Sequence, residues 1–499
     1  MNYQSTRSCS GAVTSAQAIA QGLCGDGGLF VPEAFPAVSA EELTKMESEN
    51  YQQRAQRILA KYLTDFTEEE IRECVSLAYQ PQCFPGGAAP VSTLRNGTCF
   101  LELWHGPTCA FKDMALQILP HLLTRSLKKI NTGKKALILV ATSGDTGKAA
   151  LEGFQDVPET SIMVFYPKDG VSPMQERQMR TQEGNNVSVC AVEGNFDDTQ
   201  TGVKLIFGDQ KIQEHLAKKG LMFSSANSIN WGRLLPQIVY YFSAYCDLCA
   251  CGKIKRGEQV NFTVPTGNFG DILAAYYAKK MGLPVKKLIC ASNANNVLTD
   301  FLTTGVYSRN REFYTTISPS MDILISSNLE RLLFDLTDRN AEQVAGWMRQ
   351  LRETGEYKVD GNTLAKIREL FSAGFCGDDE TREEIRSLYE TNQYLCDPHT
   401  AVAARVYEKY RSKTGDDTQT VIVSTASPYK FAPEVLKALV KGSSSGDGFE
   451  AVRSLSGRTG TPVPVPIAAL ESKPVRFSFS CQKEKMSEAV LSLVDSKSV

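Results

Sequence analysis

No apolar run in the chain approaches the ~20 residues that a membrane-spanning helix requires, because charged residues or glycines interrupt every such run. The N-terminus also lacks the apolar core of a signal peptide. The 54 lysines and arginines nearly balance the 56 aspartates and glutamates, so the formal net charge is only −2. This balance gives no bulk electrostatic reason for binding to nucleic acid or to an anionic membrane. We therefore expect a cytoplasmic protein that binds neither.

Metal-binding patterns are also missing from the sequence. The fourteen cysteines are scattered, and the densest group, Cys246, Cys249 and Cys251, has no second CxxC or HxxxH pattern near it. A tetrahedral metal site needs at least one further ligand, so we predict no metal. We interpret the cysteines as reduced thiols that are mostly buried.

What the 499 residues do contain is an alternation of short apolar runs and amphipathic segments. The apolar runs predict strands at 136–141, 161–166, 187–192, 260–264, 288–291 and 421–424. The segments between them predict helices that begin at Lys148 and near Met174, and helices over 196–219 and 269–281. Continuous apolar strands that alternate with helices indicate an α/β fold whose parallel sheet is covered on both faces.

The two ends of the chain depart from this alternation. Residues 1–95 predict a mostly helical segment, with helices over 41–60 and 67–79 and a Pro/Gly-rich connection at 81–90. A Gly/Ser-rich stretch at 441–448 precedes a tail that predicts a helix over 483–495. We therefore predict three parts, which are the helical segment 1–95 and two α/β domains at 96–260 and 261–499.

Three loops that directly follow predicted strands carry small and hydroxyl residues. They are Thr142–Gly147 (TSGDTG), Thr266–Asp271 (TGNFGD) and Ser424–Pro428 (STASP). Ligands of open parallel sheets bind at the carboxyl ends of the strands, and a helix N-terminus after such a loop attracts anions. The glycines of the second loop allow positive φ, and Asp271 can cap its helix. This loop matches neither a Walker A loop nor GxGxxG. Each loop alone is also compatible with an ordinary capped turn.

A fourth segment, HGPTCAFKD from His105 to Asp113, places Lys112 between an aromatic residue and an acid. Asp113 is a suitable N-cap for the helix predicted after it. A lysine in an apolar loop beside a helix N-terminus can have a depressed pKa, which a Schiff-base enzyme requires. A surface lysine at a helix start is the alternative interpretation of this segment alone.

Seven strings taken together resemble the threonine synthase family of pyridoxal-phosphate (PLP) enzymes of fold type II. In chain order they are QGLCGDGGLFVP (21–32), FLELWHGPTCAFKD (100–113), ATSGDTGKAA (141–150), SSANSINWGRLLPQ (224–237), VPTGNFGD (264–271), DPHTAVA (397–403) and STASPYKF (424–431). They span nearly the whole chain. The resemblance implies a tryptophan synthase β-like α/β fold, in which two parallel-sheet domains follow the helical segment.

The resemblance also implies the cofactor PLP and roles for individual residues. Lys112 would be the catalytic lysine that forms the Schiff base with PLP. Asp145 would lie near the 3′-oxygen of the cofactor, and Thr425 would hydrogen-bond its pyridine nitrogen. The cofactor-binding set is Lys112, Asp145, Gly267, Asn268, Phe269, Gly270, Asp271 and Thr425. The substrate-binding set is Ser143, Thr146, Asn227, Ser228, Asn230 and Arg233.

Threonine synthases convert O-phospho-L-homoserine and water to L-threonine and phosphate, and the resemblance implies this activity in a monomer. Another fold type II PLP enzyme, either a phospho-lyase or a β-replacement enzyme, is the alternative. A non-catalytic sensor with the same fold is a third possibility, against which the retained Lys112 argues. One departure is visible, because Ser427 stands where the family usually has histidine. An acid–base role at that position is therefore in doubt.

Overall fold

The computed structural model describes residues 1–8, 11–440 and 448–496, and its strands form two main sheets. The larger sheet contains, in spatial order, the strands Phe371–Phe375, Val285–Ser292, Val260–Pro265, Thr420–Ser424, Cys99–Glu102 and Val91–Thr93. The smaller sheet contains Ser480–Gln482, Val187–Glu193, Thr160–Pro167, Lys135–Ala141 and Leu221–Ser224. Neighbouring strands are parallel in both sheets, except for the antiparallel pair Val91–Thr93 and Cys99–Glu102.

The strands of both sheets are buried in the way that covered parallel sheets require. Every residue of Val260–Pro265 and of Thr420–Ser424 is buried, because helices pack on both faces. All six predicted strands are confirmed, with small differences at their ends. Two further antiparallel pairs stand apart from the sheets, and they are Tyr3–Ser5 with Phe30–Pro32 and Val306–Ser308 with Glu356–Lys358.

The helices fill the sequence between the strands. In chain order they are Ser15–Gln21, Ala40–Met46, Tyr51–Tyr62, Glu68–Ala78, Asp113–Leu116, Leu119–Lys129, Asp145–Phe154, Pro173–Arg180, Phe196–Gly208, Gln210–Lys218, Trp231–Ala250, Gly270–Lys280, Val297–Thr304, Leu329–Leu336, Ala341–Glu353, Gly361–Leu370, Asp378–Asn392, Pro398–Thr414, Ala432–Leu439, Gly448–Thr459, Val465–Ala468 and Met486–Ser496. Short 3₁₀ helices occur at Pro319–Met321, Pro428–Phe431, Ala469–Glu471 and Lys483–Lys485. In the described part of residues 1–95 the regular structure consists of four helices and three short strands, and the helices cover fewer than half of these residues.

Two of the predicted helices are wrong in length, because each is two helices. The prediction 41–60 covers a break before Tyr51, where the Asn50 side chain accepts a hydrogen bond from the Gln53 N–H. The prediction 196–219 covers a break at Asp209, whose carboxylate accepts from the N–H groups of Lys211 and Ile212. In both places a short polar side chain captures the free N–H groups of a new helix. The prediction 441–448 falls, except for its last residue, outside the described residues.

The three contiguous domains of the prediction need a correction. Two strand pairs join strands from opposite sides of the predicted boundary at residue 260. Cys99–Glu102 pairs with Thr420–Ser424 in the larger sheet, and Ser480–Gln482 pairs with Val187–Glu193 in the smaller sheet. Each sheet is therefore built from both halves of the chain, a pairing that local sequence patterns do not encode.

The N-terminal segment is part of the core rather than an appendage. The ring of Trp231, at the start of the buried helix Trp231–Ala250, lies 5.2 Å from the ring of Tyr3 and 5.5 Å from that of Tyr62. Aromatic contacts at such distances add to the free energy gained by burial. The early segment thereby fixes the helix whose N-terminal turn contributes to the site.

The described residues offer neither a membrane-spanning helix nor a metal site. Among the described residues no helix has the length and apolar character needed to cross a membrane. The cysteines in this part of the chain are free, most are buried, and Cys251 is exposed. Within the same residues, no three His, Cys, Asp or Glu side chains are grouped so that they could hold a metal ion.

Candidate active site

The predicted loops meet at one cavity of about 1540 Å³, at the carboxyl ends of parallel strands from both sheets. The predicted site residues that line it are Lys112, Ser143, Thr146, Asn227, Ser228, Arg233, Gly267, Asn268, Phe269, Gly270, Asp271 and Thr425. Asp145 and Asn230 are the two predicted residues outside its lining. The architecture therefore brings together segments that lie far apart in sequence.

Backbone hydrogen bonds hold the Lys112 segment against the loop that follows strand Thr420–Ser424. The Phe111 N–H donates to the Thr425 carbonyl at 2.8 Å, and the Ser427 N–H donates to the Cys109 carbonyl at 3.0 Å. These bonds place Lys112 beside Thr425, so both side chains reach the same cavity.

Asp113 does not act as the predicted N-cap. Its carboxylate accepts hydrogen bonds from the N–H of Thr108 at 2.8 Å and from the Thr108 hydroxyl at 2.6 Å. Lys112 itself occupies the N-cap position of helix Asp113–Leu116 and makes no side-chain capping bond. Asp113 instead closes the loop that presents the lysine, and its burial raises the pKa of its carboxyl group to about 6.

The amine of Lys112 is mostly buried and lies close to one carboxylate. Its Nζ is 3.7 Å from Oδ2 of Asp145 and 4.6 Å from the centre of the Phe111 ring. Burial lowers the pKa of Lys112 to about 8, with Asp145 opposing this change and Arg233 adding to it. A fraction of the amine is therefore neutral near physiological pH, as a nucleophilic or basic lysine requires.

The TSGDTG loop turns sharply at Gly144. The Thr142 hydroxyl accepts hydrogen bonds from the N–H groups of Gly144 and Gly147, both at 2.9 Å. Gly144 has φ of 132°, which favours glycine, and a Cβ there would lie 2.4 Å from the Gln175 side chain. Asp145 is not part of the cavity lining, but its Oδ2 lies 3.7 Å from the amine of Lys112, and its predicted position near the 3′-oxygen of the cofactor stays a prediction.

The GNFGD loop has its left-handed residue at an unpredicted position. Phe269 has φ of 62°, whereas Gly267 and Gly270 do not have positive φ, so the prediction about these glycines is wrong. The helix Gly270–Lys280 begins directly afterwards, and no described side chain caps it. Since its first residues line the cavity, this helix N-terminus can bind an anion there.

Asp271 does not cap this helix either, which corrects a second prediction. Its Oδ1 accepts hydrogen bonds from the hydroxyls of Tyr240 at 2.5 Å and Tyr241 at 2.6 Å. Its Oδ2 is buried and has no hydrogen-bond partner among the described residues. Burial raises the pKa of Asp271 to about 6, and the two tyrosine hydrogen bonds oppose this change.

Arg233 places a buried guanidinium in the cavity lining. It donates to the Ala226 carbonyl at 2.9 Å and to the Thr146 hydroxyl at 3.3 Å, and it is 5% exposed. No carboxylate in the described part of the chain forms an ion pair with it, and burial lowers its pKa to about 10. Buried charges are normally paired, so this cation suits an anionic ligand.

The two asparagines predicted near Arg233 differ in role. Asn227 lines the cavity, and its buried Oδ1 has no partner within the described residues. Asn230 is fully buried, where its amide donates to the carbonyls of Ile19 and Ser225 and accepts from the Gly232 N–H. The prediction that Asn230 binds substrate is therefore corrected, since its side chain caps helix Trp231–Ala250.

A histidine that the sequence left unassigned reaches the cavity. His399, in the string DPHTAVA, has Nδ1 2.7 Å from Oδ1 of Asp397 and accepts the Ser320 N–H at Nε2 at 3.1 Å. Ser427, by contrast, is fully buried, and its hydroxyl caps the helix Pro428–Phe431. His399, and not the residue at position 427, is therefore the imidazole that lines the cavity, and only its place in the string DPHTAVA pointed to it in the sequence.

Comparison with known proteins decides the family. Residues 2–79 match the family model "Threonine synthase N terminus", and residues 400–490 match "Threonine synthase, C-terminal". Threonine synthase of Pseudomonas aeruginosa is 39% identical over 439 residues, covering 88% of this chain and 90% of that protein. The chain belongs to the threonine synthase family.

Solved structures agree with this membership. The PLP-bound threonine synthase of Brucella melitensis superposes with a TM-score of 0.87 at 36% identity, and the yeast threonine synthase with a TM-score of 0.88 at 34% identity. Each comparison covers 99% of both chains. The predicted fold type II architecture is confirmed.

A second group of relatives has a slightly higher identity to this chain. Human threonine synthase-like 1 is 42% identical over 434 residues, which cover 85% of this chain. The chain spans only 58% of the length of that relative. The family thus includes proteins named threonine synthase and proteins named threonine synthase-like 1. Membership alone therefore does not establish which reaction this chain catalyses, and an assay must decide it.

Proposed function

We propose that the protein is a PLP-dependent threonine synthase, which converts O-phospho-L-homoserine and water to L-threonine and phosphate. One observation carries this proposal. A single cavity holds a buried lysine amine, Lys112, together with two separate places for an anion, the uncapped helix N-terminus at Gly270 and the unpaired guanidinium of Arg233. Two anion sites suit a phosphorylated cofactor and a phosphorylated substrate.

The residues present fit PLP. Lys112 supplies the amine for its aldehyde, and Gly267–Asp271 supplies the anion site for its phosphate. Thr425 lines the same cavity, and its hydroxyl would reach the pyridine nitrogen. The buried, unpartnered Oδ1 of Asn227 is an acceptor that a ligand can satisfy. When bound, PLP supplies an electron sink for carbanions next to the substrate nitrogen.

The side chains around the cofactor would divide the remaining work. Lys112, whose pKa is lowered to about 8, can take up and return protons at the substrate carbons. Ser143 and Thr146 present hydroxyls at the start of helix Asp145–Phe154, where a substrate carboxylate would bind. Arg233 would hold the substrate phosphate and the phosphate that leaves, since its fork matches phosphate oxygens.

The decisive experiment follows the products from O-phospho-L-homoserine. We expect L-threonine and phosphate to appear in equal amounts when the purified protein is supplied with PLP. A phospho-lyase would instead release phosphate with 2-oxobutanoate and ammonia, and a β-replacement enzyme would release no phosphate. Phosphate without threonine would overturn the proposal and favour the phospho-lyase.

A glycine substitution tests the assignment of the cofactor phosphate. A Cβ on Gly267 would lie 2.8 Å from the carbonyl oxygen of Ser320, so Gly267→Ala forces the loop to shift. Overpacking of this kind costs about 1–3 kcal/mol, and we expect PLP affinity to fall about 10- to 100-fold in equilibrium dialysis. Gly361→Ala is the control, because no atom lies within 4 Å of a Cβ at that position. Unchanged PLP affinity in Gly267→Ala would show that the loop is only a turn.

The proposal extends to a monomer that acts in the cytoplasm. The monomeric state is what the resemblance to the threonine synthase family implies. The free cysteines of the described segments suit a reducing compartment. Sedimentation equilibrium and cell fractionation test these two statements.

A further inference from the structure

A second lysine lies directly behind the first. Lys430, in the short helix Pro428–Phe431, has a completely buried side chain and does not line the cavity. Its Nζ is 2.6 Å from Oδ1 of Asp145 and donates a hydrogen bond to the Thr108 carbonyl at 3.0 Å. The string STASPYKF contains this lysine, but nothing in the proposed function requires it. It cannot touch a ligand, so any role must act through its neighbours.

Asp145 shares its two carboxylate oxygens between the two lysines. Oδ1 receives Lys430 and also the Gln175 amide at 3.0 Å. Oδ2 receives the Ser320 hydroxyl at 3.3 Å and lies 3.7 Å from the amine of Lys112. The contact with Lys430 is therefore much closer than the contact with Lys112.

We propose that Lys430 is a positioning residue that neutralises Asp145 and thereby leaves the amine of Lys112 free to lose its proton. One carboxylate between two buried ammonium groups can compensate only one of them. If Lys430 were absent, Asp145 would be a lone buried anion next to Lys112 and would hold that amine in its charged form. This inference rests on the proposed function only in taking Lys112 as the reactive amine.

The titration of Asp145 agrees with its charge being compensated mainly by Lys430. Burial opposes ionisation of Asp145, but the charges of Lys430 and Lys112, with the hydrogen bonds from Lys430 and Gln175, lower its pKa well below the usual range. The carboxyl group is thus ionised throughout the physiological range, and it needs a permanent counter-charge.

The other charged groups near Lys112 come from three further elements. Arg233 lies on helix Trp231–Ala250, and Asp271 lies on helix Gly270–Lys280. The His399 and Asp397 pair touches the site through Ser320, whose hydroxyl binds Asp145. All of these groups are unchanged in a variant at position 430, so a change in the titration of Lys112 reports on Lys430.

The test measures the titration of Lys112 without any substrate. The full-length protein is dialysed against hydroxylamine to remove bound carbonyl compounds, and then reacted with 1-fluoro-2,4-dinitrobenzene between pH 6 and pH 11. Mass spectrometry of the Lys112 peptide gives the rate at each pH. In Lys430→Met we expect the midpoint to rise by about one pH unit, so the rate at pH 7, below both midpoints, falls roughly tenfold.

Two variants separate this electrostatic role from a structural one. Lys430→Arg keeps the charge and should restore the midpoint toward that of the unmodified protein. Asp145→Asn removes the anion and should move the midpoint downward, opposite to Lys430→Met. A merely structural disturbance would shift both variants in the same direction, and that result overturns the proposal, as does an unchanged midpoint in Lys430→Met.

A further pair covers the case in which Lys430→Met does not fold, as judged by thermal melting. The double variant Asp145→Asn with Lys430→Met removes both charges of the Asp145–Lys430 pair, and it is compared with Asp145→Asn alone. We expect the double variant to have the higher midpoint, since one positive charge is gone. Equal midpoints would overturn the proposal. Because the labelling involves neither threonine nor phosphohomoserine, its failure is distinct from a failure of the proposed function.

Discussion

Lys112→Ala is expected to abolish threonine formation while the fold stays intact. Its amine is the group proposed to react with PLP, and a positioned acid–base group alone contributes about 10²- to 10⁴-fold to a rate. The fold should tolerate the change, because Lys112 makes no capping bond to helix Asp113–Leu116. Turnover, PLP absorbance and the melting temperature are measured together.

Another lysine in the lining of the same cavity provides the control. Lys134 is half-buried and has no part in the proposed function, so Lys134→Ala should keep full turnover and the yellow cofactor spectrum. Borohydride reduction should fix PLP to the Lys112 peptide in the unmodified protein and in this control. An active Lys112→Ala protein with a reduced PLP adduct on another lysine would remove the assignment.

Arg233→Ala is expected to weaken the use of phosphohomoserine and to leave PLP affinity unchanged. A charged hydrogen bond is worth about 1.5–3 kcal/mol, which corresponds to a loss of roughly 10- to 150-fold in kcat/KM. Inhibition by free phosphate should weaken in parallel, because the same guanidinium would bind both anions. Steady-state kinetics with added phosphate measure both effects.

Another buried arginine shows what a purely structural loss looks like. Arg331 is fully buried, and its guanidinium donates to the carbonyls of Phe30 and Ile229 and to Oδ1 of Asn328. Arg331→Ala should therefore lower the melting temperature more than it changes phosphate inhibition. If Arg233→Ala behaves in the same way, with wild-type phosphate inhibition, then Arg233 only holds the Ala226 and Thr146 contacts.

The strands and the edge of the sheet that binds ligands could be predicted from the sequence. A parallel strand covered on both faces must be apolar throughout, so VNFTVP and TVIVS stand out without any tertiary information. The loops that follow these two strands carry small residues, because small side chains leave room for a sharp turn from a strand into a helix. The lysine of HGPTCAFKD was likewise visible as a residue between an aromatic ring and an acid.

Local patterns failed where a polar side chain had more than one possible partner. Asp113, Asp271 and Asn230 all have the composition of helix caps or ligand-binding groups. In the folded chain Asp113 accepts hydrogen bonds from Thr108, and Asp271 accepts them from two tyrosine hydroxyls. The Asn230 amide donates to the carbonyls of Ile19 and Ser225. Each of these choices minimises unpaired buried polar groups, and that balance depends on neighbours that the chain brings in from elsewhere.

The sequence by itself therefore determined the class of fold, the family and the position of the reactive lysine. Only the tertiary structure decided which groups set the charge of that lysine. Lys430 and Asp145 lie far apart along the chain, and they meet because the loop after strand Thr420–Ser424 packs against the loop that carries Lys112. Electrostatic effects between buried groups depend on distance and desolvation, and both arise only when the elements pack together.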